Sequence, residues 1–137
     1  MVTETLTREQ EEQLRLTAIL TQRVERARES LADFGEFVFG YPAMPHHKRW
    51  IRALSDERIR WLMILGPPAS GKTVWIGNVY QCWKGSRFPQ RHYCYLSFGQ
   101  GVAESRASPV RLKIEEKNER SEFRLVFPEV RPDPKRT

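Results

Sequence analysis

Residues 66–73 read GPPASGKT, and five apolar residues, Trp61, Leu62, Met63, Ile64 and Leu65, run directly into them. Nothing else in the chain limits its folding so tightly. The spacing, Gly, four residues, Gly-Lys-Thr, is that of a phosphate-binding P-loop. Gly66 and Gly71 let the backbone turn sharply and approach a ligand with no Cβ in the way. The backbone N–H groups then converge, and the helix that follows adds its positive end. Lys72 reaches the outer phosphates, and Thr73 offers its hydroxyl to Mg²⁺. Pro67 and Pro68 donate no hydrogen bond, so the cradle relies on N–H groups from Ala69 and Ser70 onward. On this reading Gly66, Pro67, Pro68, Ala69, Ser70, Gly71, Lys72 and Thr73 bind a nucleotide, ATP with Mg²⁺ at Thr73. The alternative is a Gly/Pro turn that binds nothing.

Such a loop needs a strand before it and a helix after it. Residues 61–65 have the composition of a strand buried on both faces. Residues 73–84 carry Val74, Trp75, Ile76, Val79, Tyr80, Cys82 and Trp83 without a proline, and Gly85 is a stop signal. Gly77 weakens that helix. HYCYLSF, residues 92–98, reads as a second strand, broken by the glycines at 99 and 101. The crossover rule makes the two strands parallel neighbours joined by the 73–84 helix. The predicted fold class is therefore α/β, a partial P-loop NTPase fold of parallel strands with crossover helices, preceded by a long N-terminal helix. Two parallel strands are too few for a stable sheet. The chain is thus expected to be the N-terminal part of a larger ATPase.

The N-terminal helix is expected over residues 7–33, where Leu14, Leu16, Ile19, Leu20, Val24, Ala27 and Leu31 recur at roughly helical spacing. It reads either as a docking arm or as a helix packed on its own domain. Residues 34–45 read as an aromatic loop, and Pro45 opens a short helix. Residues 102–120 are helical in composition, with Pro109 either starting a second segment or kinking one helix. Residues 121–127 form a short amphipathic piece. The expected organisation is an arm over 1–33, part of an ATPase domain over 34–130, and a disordered tail over 131–137.

The chain has 23 Lys and Arg against 17 Asp and Glu, a net +6, which favours an acidic partner such as nucleic acid. A solvated basic surface is the plainer alternative. Cys82 and Cys94 show no metal spacing and read as reduced thiols. The polar N-terminus is no signal peptide, and no apolar run approaches a membrane span. The expectation is a soluble, cytoplasmic protein with no membrane partner.

Nucleotide hydrolysis also needs a carboxylate that orients Mg²⁺ and one that positions water. Asp56 and Glu57 lack an apolar run before them, and Glu129 follows Pro128 where the Asp belongs. The catalytic acid is therefore unassigned.

The order of features resembles the N-terminal ATPase portion of the large subunit of tailed-phage terminases, the DNA-packaging motors. The resemblance runs from about Phe34 to Pro132. Its blocks are FGEFVFGYPAMPHHKRW, WLMILGPPASGKT, the Trp83, Gly85 and Pro89 spacing, HYCYLSFGQGVAESRASPVRLKIEE, and FRLVFPEVRPD. Only the second is sharp alone. The resemblance implies Walker A roles for Gly66, Gly71, Lys72 and Thr73. It makes His47 a candidate adenine contact, with an ordinary helix-start histidine as the alternative. It supplies no arginine in the loop, so an arginine finger lies elsewhere, with Arg87, Arg91 and Arg106 undistinguished. The implied activity is ATP hydrolysis coupled to packaging double-stranded DNA into procapsids. Implied partners are a small terminase subunit, a portal protein and further copies in a ring. The family's acidic Walker B segment and nuclease domain have no counterpart here. Another P-loop machine, a helicase or transposition helper, and an inactive prophage remnant are the rival readings.

Overall fold

The computed structural model describes residues 6–134. They are helical: α1 (Arg8–Glu29), α2 (Leu31–Phe39), α3 (Pro45–Ser55), a π-helix (Thr73–Tyr80) continuing into α4 (Gln81–Arg87), α5 (Gln100–Ile114) and α6 (Glu122–Val126). No β-strand occurs among the described residues.

Local chemistry sets the helix ends. The Thr7 hydroxyl accepts from the Gln10 N–H at 3.4 Å, and Gln10 Oε1 accepts from the Thr7 N–H at 2.9 Å. This reciprocal cap starts α1. Ser30, extended at φ −118° and ψ 122°, ends α1, and its hydroxyl accepts from the Asp33 N–H at 3.3 Å to start α2. The expected 7–33 helix is thus two helices. The second runs through the stretch expected as a loop and stops at Gly40, which is left-handed at φ 71°. Pro45 opens α3 as its sequence requires. The helix after the loop passes Gly85 and ends at Arg87. Pro109 lies inside one continuous α5.

The core is a knot of helix faces. Trp75, Val79 and Cys82 bury themselves against Ala27, Leu31 and Phe34 from α1 and α2, and against Phe123 and Phe127 beside α6. The Phe34 and Phe127 rings meet edge to face at 5.8 Å. Across the chain, the Trp83 indole N–H donates to the Arg28 carbonyl at 3.1 Å, and Arg87 donates to the Glu29 carbonyl at 3.3 Å. Two carbonyls left open at the end of α1 are thereby used. Arg124 is buried, and its guanidinium donates to the carbonyls of Glu116 at 2.9 Å, Ile114 at 2.6 Å, and Val130.

These contacts overturn the α/β expectation. The face of the 73–87 helix that a parallel sheet would have covered is already filled by α1, α2 and α6. Residues 61–65 and 92–98 therefore form no ladder. Trp61, Met63 and Leu65 are 94%, 82% and 82% exposed, and Leu96 and Phe98 are 86% and 94% exposed. A lone strand leaves its N–H and C=O groups without partners, so composition alone cannot make one.

Arg131 pairs with Glu119 at 2.6 and 2.8 Å, and residues 135–137 of the expected tail lie outside the described residues. Among the described residues no helix is long and apolar enough to cross a membrane.

Candidate phosphate loop

Residues 66–72 curl between α3 and the π-helix. Two residues give the curl its shape. Gly71 has φ +83°, and Ala69 has φ +60°, the only left-handed residue other than glycine among those described. An alanine there costs about 1–2 kcal/mol, so the rest of the loop must hold it. The Lys72 side chain does part of that. Its ammonium folds back to donate to the carbonyl of Gly66, to that of Pro67 at 2.8 Å, and to the Ser70 hydroxyl at 3.5 Å. The loop thus closes around one positive charge. The Trp75 N–H donates to the Gly71 carbonyl at 2.9 Å, which hands the loop into the helix. Thr73 opens that helix with its side chain exposed.

The other side of the loop is held by α3. His47 is buried, and its Nε2 lies 2.9 Å from the Ser70 carbonyl. Its Nδ1 accepts from the Met44 N–H at 3.2 Å. A ring whose Nδ1 accepts carries its proton on Nε2, so Nε2 is the donor to Ser70. His46 Nε2 lies 3.1 Å from the same carbonyl, with the two rings 3.9 Å apart. The His47 ring also stands 5.4 Å from the Trp75 ring. Both nitrogens of His47 are thus engaged within the chain, and its position is that of a loop clamp. The contact of His46 with Ser70 spans 24 residues, so local sequence does not mark His46 as a second clamp. The adjacent histidines at the start of α3 were the available cue.

The three carboxylates weighed for metal binding all face cations. Asp56 accepts from Arg58 Nε at 2.9 Å and Nη2 at 2.8 Å, and this hydrogen bonding holds its carboxyl below the usual range. Glu57 pairs with Lys84 at 3.3 Å, and Glu129 pairs with Arg28. Of the candidate arginines, Arg87 is bound to Glu29 at 2.8 Å, and Arg91 lies over the Phe88 ring at 4.4 Å. No group of three metal-ligating side chains occurs among the described residues. A cavity of about 550 Å³, mostly apolar and lined by Gly77, Gln81, Tyr93, Tyr95, Val110 and Ile114 among others, lies away from the loop.

The arrangement can do one thing chemically. It presents a fixed Lys72 ammonium and an exposed Thr73 hydroxyl, while the Ser70 N–H is used within the loop by the Pro67 carbonyl at 3.4 Å. No protein-family model matches the chain, and no characterised protein or solved structure shows significant similarity to it.

Proposed function

We propose that residues 66–73 bind the phosphate chain of ATP, with Mg²⁺ at the Thr73 hydroxyl. The observation that carries this reading is the loop closed on the Lys72 ammonium at the start of a helix. Bound phosphate oxygens would replace the Gly66 and Pro67 carbonyls as the partners of Lys72, and a charge-assisted bond is the stronger one. Gly66, Pro67, Pro68, Ala69 and Ser70 shape the loop, Gly71 allows its close approach, and His47 with His46 holds it through Ser70.

The larger role proposed is that of the ATP-binding part of a terminase-like motor that packages double-stranded DNA, acting in the host-cell cytoplasm. Its partners would be a small terminase subunit, a portal protein and further copies. This part rests on the five sequence blocks alone, and the helical architecture does not add to it. A binding role without turnover by residues 1–137 is the second reading. It is favoured by Asp56, Glu57 and Glu129 each being held by a cation rather than facing the loop.

Calorimetric titration of Mg²⁺-ATP into the wild type and Lys72→Ala tests the site. Losing a charge-assisted contact of about 1.5–3 kcal/mol should weaken binding roughly 10- to 100-fold. Equal affinities would remove Lys72 from the site. Phosphate release no faster than in the Lys72→Ala protein is expected for the wild-type chain. Turnover that depends on Lys72 would overturn the second reading.

A further inference from the structure

The proposed function makes no use of the cavity that lies away from the loop. Its volume of about 550 Å³ is that of a small-molecule site, and such sites are mostly apolar with a few placed polar groups. Three parts of the chain build it. Gly77 and Gln81 stand one turn apart on the π-helix and α4, Tyr93 and Tyr95 come from the segment before α5, and Val110 and Ile114 come from α5 itself.

Gly77 is the first sign of a ligand. Glycine weakens a helix, so a buried one there needs a reason. Backbone shape is not the reason, since only Gly40 and Gly71 among the glycines have positive φ. Close packing is not the reason either. A Cβ at Gly77 would meet the Tyr95 hydroxyl at 3.4 Å and the Thr73 methyl at 3.8 Å, which are van der Waals distances. What the missing side chain leaves is room in the cavity.

The second sign is unused hydrogen bonding. The Gln81 amide and the Tyr95 hydroxyl both belong to the cavity wall, and neither makes a hydrogen bond among the described residues. The Tyr93 hydroxyl, by contrast, donates to the carbonyls of Lys84 and Phe88 at 3.0 and 3.4 Å. A primary amide holds a donor and an acceptor side by side in one plane. The charged residues of the wall, Arg111 and Glu115, pair with each other at 2.8 Å, so neither sign of charge is favoured in a ligand. The tyrosine rings, facing the aliphatic side chains of α5, favour a flat aromatic body. The geometry points to a binding site for a neutral heteroaromatic molecule of two or three fused rings, with a carbonyl beside an N–H on one edge, as in a lactam or imide. That edge pairs with Gln81. The site is independent of the nucleotide reading, since none of its residues lies in the phosphate loop.

Lumiflavin is a fluorescent molecule of this class, and 3-methyllumiflavin has the same rings with the edge N–H blocked. Fluorescence anisotropy of about 1 µM probe, titrated with the full chain to about 300 µM, should give a Kd on the order of 10–100 µM for lumiflavin, as its size allows. The methylated probe should bind about 3- to 10-fold more weakly, the value of one hydrogen bond. Gln81→Leu should abolish that difference and keep the helical signal, because the amide has no partner to lose. Gly77→Ala places a methyl in the cavity and should weaken lumiflavin about 5-fold or more by overpacking, with a Tm at or above the wild type. A loss of affinity without a loss of stability separates the site from the fold. Saturating Mg²⁺-ATP should leave the probe bound. No saturable anisotropy change up to the highest concentration would overturn the inference. So would equal affinity of the wild type for the two probes, undiminished binding by Gly77→Ala, or displacement by Mg²⁺-ATP.

Discussion

Gly71 shows how closely the loop is fitted at the scale of a single residue. Its φ of +83° disfavours any side chain, and a Cβ there would lie 2.8 Å from His47 Nε2. Gly71→Ala should therefore displace His47 from the Ser70 carbonyl as well as strain the backbone. We expect a stability loss of about 1–3 kcal/mol, read as a lower Tm, together with weakened Mg²⁺-ATP binding. An unchanged Tm would mean that the clamp does not set the loop. Cys82 makes a second case. Burial pushes its thiol up from 9.0 to about 12, while Cys94 is exposed. The folded chain therefore holds a proton on Cys82 that the unfolded chain releases above pH 9. Linkage makes this a stabilising contribution that is fully present below pH 9 and lost as pH rises towards 12. Denaturant midpoints should fall over that window, and Cys82→Ala should flatten part of the fall after its own cavity cost is subtracted. Under native conditions a thiol reagent should label Cys94 and spare Cys82.

Helix faces carry most of what holds the elements together. Gly35 of α2 lies where a Cβ would come within 2.4 Å of the Trp75 ring and 3.1 Å of Val79. Both partners are buried, so neither can give way cheaply. Gly35→Ala should cost about 1–3 kcal/mol by overpacking, despite the better helix propensity of alanine. A Tm equal to or above the wild type would show that the two helices are not in contact there. The same glycine explains what the sequence could and could not reveal. Read locally, Gly35 amid aromatic residues argues for a loop, and only the neighbouring Trp75 shows why a helix needs it. The start of α3 at Pro45 was legible because a proline's fixed φ acts locally. The glycine-bounded turn at residues 66–73 was legible as a contiguous motif, whereas His46 and the buried Arg124 act on carbonyls that sequence order does not mark. The two apolar runs misled for a related reason. Composition identifies a segment able to be a strand, but a strand exists only with a neighbour, and the helix meant to cover the sheet packs on other helices.

Charge is the property that belongs to the whole molecule. The chain carries a net +6, and among the described residues seven ion pairs each join an acidic to a basic side chain. Lys48, Arg49 and Arg52 of α3 are exposed and take part in none of them. Arg52 stands four residues from Lys48 and three from Arg49, so it neighbours both on one side of the helix that carries the loop-clamping histidines. A duplex laid there would exchange condensed counterions for these cations without reading base sequence. Binding of the chain to double-stranded DNA should then be indifferent to sequence and fall steeply with salt. Each phosphate contact contributes about 0.9 to the slope of log affinity against log salt concentration. Replacing Lys48, Arg49 and Arg52 by Gln should therefore reduce that slope by up to about 2.7. Removing the same number of arginines already paired, Arg58, Arg111 and Arg131, should change it less, since their charge is compensated in place. Fluorescence anisotropy over a salt series measures both slopes. Equal losses for the two triple variants would show that only total charge matters and that α3 presents no DNA-facing side. A wild-type slope near zero would remove DNA as a partner of this chain altogether.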